Sequence, residues 1–159
     1  FAGRVFYTVP MNAKASEALR TIISIPLGLA FIFIGFQHFA RPDIFDAIVP
    51  SDLGTARFWT LSSGALEIAF GIGLCIPKIR ATSAALLFCL VLLMSAANLN
   101  MWLNDVPFDG RKLSQTDHII RLLIQLALLL TLSWVSRISI NEKLLGLGTF
   151  GCYSQFLSG

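Results

Sequence analysis

The chain has 159 residues, of which 55% are hydrophobic and only 13% charged, with a formal net charge of +3 and a mean hydropathy of +0.74. Soluble domains carry about a quarter charged residues, so this composition leaves too little polar surface to cover a globule in water. No basic patch with interleaved aromatics occurs, which argues against a nucleic-acid partner.

Residues 1–20 form a basic segment, with Arg4, Lys14 and Arg20 against Glu17. It fits either a trimmed organellar presequence or an ordinary juxtamembrane extension. Four apolar runs follow, at about 21–40, 57–76, 81–103 and 118–136. Each is long enough, at about 1.5 Å per residue, to cross a hydrocarbon core of about 30 Å as a helix. None alternates as a strand would. The expected fold is therefore all-α: an integral membrane four-helix bundle over 21–136, with a tail at 137–159. The tail's apolar part, 144–157, is too short to span and is expected at the interface or against a partner.

The breaks are explicit: Pro42 and Pro50 after the first run, Pro77 to Arg80 between the second and third, and Pro107, Asp109 and Gly110 before the fourth. Lys and Arg distribute unequally across these loops. Arg4, Lys14, Arg20, Lys78, Arg80, Arg137 and Lys143 fall on one side, and Arg41, Arg57, Arg111 and Lys112 on the other. The positive-inside rule then places both termini on the cytoplasmic or matrix side.

Polar residues inside membrane helices are costly and turn toward the bundle interior. His38, Glu67, Asn98, Arg121 and Gln125 form the set from which a shared pocket in the outer half of the bilayer is expected, with Glu67 and Arg121 as its charge pair. His118, Arg121 and Gln125 line one face of the fourth helix, whereas Asn98 and Asn100 point apart. Two readings fit the set. It is a ligand site for a quinone or lipid head group, or a structural network that fixes helix register. Ala65, Ala69 and Gly73 suggest a close-packing stripe on the second helix, with Glu67 on the opposite face along Ser63 and Gly71.

Cys75, Cys89 and Cys152 make no C-x-x-C pair, and no zinc spacing or nucleotide loop is present. The cysteines read as small buried hydrophobes. No cofactor of the chain's own is expected.

Three blocks carry a family resemblance. Gly35-x-x-His38-Phe39-x-x-Pro42-x-x-Phe45-x-x-Ile48-Val49-Pro50 is the most specific. Ser63-Gly64-x-x-Glu67 with Gly71 and Pro77-x-x-Arg80 comes next, then Ala97-Asn98-x-x-Met101 with Arg121-x-x-x-Gln125. Over about 19–136 the chain resembles DoxX-like membrane proteins. The resemblance implies a four-helix bundle in a bacterial or mitochondrial inner membrane, and some relatives are subunits of oxidoreductases linked to sulfur or quinone chemistry. Ser95-Ala96 departs from it, since many relatives have proline before the Ala-Asn pair. The expected function is an accessory membrane subunit of a larger respiratory or redox complex, contacting lipid or quinone and without catalysis of its own. A quinone-linked oxidoreductase component is the alternative, and a small transporter the third reading.

Overall fold

The computed structural model describes residues 13–136. The tail expected at 137–159 and the first part of the basic extension lie outside the described residues. Four long helices run up and down: α1 (Ala13–Ala40), α3 (Ala56–Cys75), α4 (Arg80–Leu103) and α5 (Gln115–Ser136), with a short α2 (Pro42–Asp46) and a 3-10 turn (Ser51–Leu53) between α1 and α3. All four long helices are apolar and long enough to cross a membrane. The protein is an all-α four-helix bundle and, by the character of those helices, a membrane protein. The end that carries α2 and the α4–α5 connection is called the loop end below, and the opposite one the terminal end.

Helix boundaries follow local chemistry. α1 begins eight residues before the apolar run expected at 21–40. The helix-forming Ala, Ser, Glu and Leu residues ahead of that run continue the same helix into polar surroundings. α5 begins at Gln115 rather than 118 because Ser114 and Asp117 cap it reciprocally. The Ser114 N–H donates to Asp117 Oδ2 at 2.9 Å, and the Asp117 N–H donates to Ser114 Oγ at 3.2 Å.

The packing is uneven. α1 lies against α3 over its length, and glycines set the separation. A Cβ added to Gly28 would sit 2.5 Å from the Gly71 carbonyl oxygen, and one on Gly35 2.7 Å from that of Gly64. The pairs run antiparallel, seven residues apart on each helix. Small residues at such a crossing let two backbones approach and gain dispersion contact that lipid tails cannot supply. This corrects the expected stripe. Ala65 and Ala69 face outward, and the close-packed line is Gly64–Gly71, with Glu67 between them on the same face. Gly73 does pack closely, but against Ser83 of α4.

Apolar side chains from all four long helices fill the centre: Phe31 of α1, Leu74 of α3, Leu87, Leu90 and Val91 of α4, and Leu132 and Val135 of α5. Cys75 and Cys89 are free thiols, and Cys89 is exposed rather than buried. Phe33, Phe36, Leu93, Leu123, Ile124 and Leu130 cover the outside, as a surface immersed in lipid tails or against another membrane protein requires.

Leucine at position 35 should force α1 from α3 and cost about 1–3 kcal/mol, whereas Ala65→Leu, on the outward face, should stay within about 0.5 kcal/mol. Unfolding by SDS in mixed micelles compares the two. Equal losses would contradict the glycine contact.

Candidate functional site

The α1–α3 contact delivers the first half of the polar set. Gly64 lies against the His38 side chain, and a Cβ there would come within 2.6 Å of His38 Cβ. The imidazole therefore lies close along α3. Its Nδ1 is 2.9 Å from the Thr60 carbonyl oxygen and 3.3 Å from Ser63 Oγ. A carbonyl only accepts, so Nδ1 carries a proton. Nε2 then faces Glu67 Oε2 at 3.7 Å, just beyond direct hydrogen-bond reach. Neither atom has a hydrogen-bond partner among the described residues. Both side chains are about 2% exposed, so each atom has the other as its facing polar neighbour. The arrangement is a buried histidine–carboxyl pair whose facing atoms are Nε2 and Oε2.

α5 and α4 deliver the second half. Asn98 Nδ2 donates to Gln125 Oε1 at 2.9 Å, and Arg121 Nη2 donates to Asn98 Oδ1 at 2.7 Å. Gln125 Nε2 donates to the Val91 carbonyl at 3.0 Å and to Ser95 Oγ. Ser95 in turn donates to Val91 O at 3.1 Å. Ser95 is thus a working member of the network.

The five expected residues are therefore two groups rather than one pocket. Glu67 pairs with His38, not with Arg121. Among the described residues, Arg121 meets an amide and a ring instead of a carboxylate: its guanidinium carbon lies 5.1 Å from the centre of the Phe108 ring. His118 stays apart from both groups and stacks on Trp102, with centroids 5.5 Å apart. Asn100 turns away from Asn98, as expected, and donates to the Ile48 carbonyl at 3.1 Å.

Two rings that sequence reasoning did not single out join the halves. Phe45 of α2 stacks on His38, with centroids 3.8 Å apart, and meets Phe108 edge-on at 6.0 Å. Phe108 is presented by a tight turn, with mutual backbone hydrogen bonds to Arg111. Asp109 and Gly110 occupy the turn with positive φ, as a two-residue hairpin requires. The signals were available: Phe45 sits within the His38 motif, and Asp-Gly is a hairpin dipeptide.

Salt bridges pin these loops down. Arg57 at the start of α3 donates to Asp46 at 2.7 Å and to Asp43 at 2.6 Å, clamping α2 over His38. Arg41 reaches Asp109 at 2.5 Å. Partial burial acts to raise the Asp46 carboxyl, but the nearby Thr60 hydroxyl and Arg57 outweigh it and hold it below its ordinary value of 3.8.

A cavity of about 360 Å³ opens beside His38. α3 contributes Trp59, Thr60, Ser63 and Leu66, α4 contributes Leu90, Leu93, Met94 and Ala97, and Phe45, Ile48, Val49 and Leu53 roof it. Its wall is apolar apart from His38, Thr60, Ser62 and Ser63 at one edge. Leu66, Leu93 and Trp59 are exposed, so the mouth faces sideways between α3 and α4. Glu67, Asn98, Arg121 and Gln125 are not part of the wall. Among the described residues no group of three His, Cys, Asp or Glu side chains comes together to hold a metal ion.

The site and fold define a helical membrane protein with a buried histidine–carboxyl pair beside a largely apolar cavity. Residues 27–137, well over half of the chain, match the model of the family described as a domain of unknown function, DUF8561, and the chain belongs to that family. No curated protein and no solved structure matches it.

A carboxyl held low contributes stability above its ordinary pKa, and loses that stability as pH falls through the folded value. The α2 clamp should hold from about pH 7 to about pH 4 and open only below Asp46's ordinary 3.8. A spin label at the exposed Ala47 should mobilise only in that acid range, and with Asp46→Asn already at neutral pH. Separately, Gln125→Leu leaves Asn98 Nδ2 without its acceptor, and should cost about 0.6–1.7 kcal/mol in SDS unfolding. No loss would remove the network from the account of stability.

Proposed function

We propose that this chain is an accessory subunit of a larger respiratory or redox complex in a bacterial or mitochondrial inner membrane, where its cavity beside His38 holds a quinone. The cavity carries the reading. It combines a long apolar wall, a lateral mouth and a single polar edge, the form that suits a ring with an isoprenoid chain. The resemblance to DoxX-like proteins supports the same class, and the apolar outer faces of α1 and α5 suit neighbouring subunits. Both termini then lie on the cytoplasmic or matrix side.

The chemistry divides between chains. Reduction of a quinone to a quinol takes two electrons and two protons, and the electrons come from the redox partner. This chain supplies position and a proton route: His38 touches the cavity, and Glu67 stands behind it at 3.7 Å. In the alternative reading, an oxidoreductase component with its own quinone step, the proton passes between Glu67 and the imidazole. The two unsatisfied facing atoms, Nε2 and Oε2, favour considering it. Arg121, outside the cavity wall, takes no part in either reading.

Two measurements test the proposal. A native gel of mildly solubilised membranes, with mass spectrometry of the band, should show this chain in a complex of several subunits; migration alone would remove the accessory role. In a Trp102→Phe, Trp134→Phe background, a short-chain ubiquinone should quench Trp59 at the cavity wall. Ala97→Phe, which fills the cavity, should weaken that quenching about tenfold, or about 1.4 kcal/mol. Quenching that ignores Ala97→Phe would place the quinone elsewhere.

A further inference from the structure

A second, polar pocket of about 190 Å³ lies at the terminal end, lined by Glu17, Arg20, Pro77, Lys78, Arg80, Ala81 and Val135. Its charged lining is three cations against one carboxylate. Arg80 is the centre of it. Although only 3% exposed, it is held rigidly: Nε donates to the Leu74 carbonyl at 3.2 Å, and Nη1 donates to Glu17 Oε1 and Thr21 Oγ1, each at 3.0 Å. Nη2 is buried and has no acceptor among the described residues. Arg20 adds a second buried nitrogen in the same condition, Nε, while its guanidinium rests 5.3 Å over the Trp134 ring.

A buried guanidinium N–H without an acceptor is costly. Two such groups at the wall of one pocket, with Lys78 beside them, call for an anion with several acceptor oxygens. The pocket's depth identifies the source. α1 and α4 enter and α3 and α5 leave the apolar zone here, with spans bounded by Ala15, Arg80, Cys75 and Ser136. Trp134 lies at the same level, the usual depth of interfacial aromatics. That is where phospholipid phosphates sit.

We propose that this pocket binds the phosphate of an anionic phospholipid, with Arg80, Arg20 and Lys78 as the cations that line it. The site is separate from the cavity beside His38, and does not depend on the function proposed for that cavity. Glu17, already engaged by Arg80, orients the guanidinium at the pocket wall.

The test is native mass spectrometry of the full chain released from nanodiscs of equal phosphatidylglycerol and phosphatidylcholine. One phosphatidylglycerol should be retained per chain. Arg20→Gln with Lys78→Gln, which leaves Arg80's hydrogen bonds to Leu74, Glu17 and Thr21 intact, should weaken retention about 30-fold. Arg80→Lys keeps the charge but loses the fork and should also release the lipid. Equal retention of both lipids, or retention unchanged in the double variant, would overturn the proposal. So would displacement of the lipid by millimolar inorganic phosphate, which would make free phosphate the ligand. Binding that emerges only after removal of residues 137–159 would also overturn it, because the chain's own tail would then be the occupant.

Discussion

The contact on which the rest depends is the approach of α1 to α3 at two pairs of glycines. With no Cβ at Gly28, Gly35, Gly64 or Gly71, each helix lies against the other's backbone. His38 follows Gly35 by one turn and lies directly on Gly64, so its ring reaches the Thr60 carbonyl. Glu67 falls between the two glycines of α3, where a Cβ on Gly35 would come within 3.2 Å of its own Cβ. A wider crossing would separate imidazole from carboxyl and leave a lone acid in the apolar interior, which membranes tolerate poorly. Close packing and the histidine–carboxyl pair are thus one feature.

The ionisable groups of the bundle are compensated separately rather than pooled. Glu67, near the middle of α3, has the imidazole. Arg121, nearer the loop end of α5, has the Asn98 amide and the face of Phe108. An ion pair between Glu67 and Arg121 would need either residue to leave its own helix pair. In a medium that screens charge poorly, the nearest adequate partner wins. The stack of His38, Phe45 and Phe108, ending under Arg121, makes the two halves mechanically continuous across the loop end.

The two ends of the bundle use charge differently. At the loop end, Asp43, Asp46 and Asp109 meet Arg57 and Arg41 in closed pairs that hold loops in place. Exposed pairs like these are individually weak, and their value here is that Arg57 bridges two carboxylates at once. At the terminal end, Arg20, Lys78 and Arg80 outnumber Glu17 around a pocket. Closed pairs suit a roof over a cavity; surplus cations suit an anionic surface.

The sequence by itself determined the four helices and the residues that must face inward. Both follow from transfer free energy: about twenty apolar residues span a bilayer, and a carboxyl, imidazole or amide within them seeks the interior. Of the candidate set, His38, Glu67 and Gln125 are indeed buried, and Asn98 and Arg121 half-buried. Hydropathy is a property of single residues, however, and carries no information on which helix lies beside which. The separation into His38–Glu67 and Asn98–Arg121–Gln125 groups, the roles of Phe45, Phe108 and Ser95, and the burial of Arg80 all depend on helix contacts. Those contacts are set by where side chains are small enough for backbones to meet. Ala65 and Ala69 are nearly as small as glycine, yet a Cβ excludes them from a crossing this close, and only the assembled bundle shows which small residues it uses.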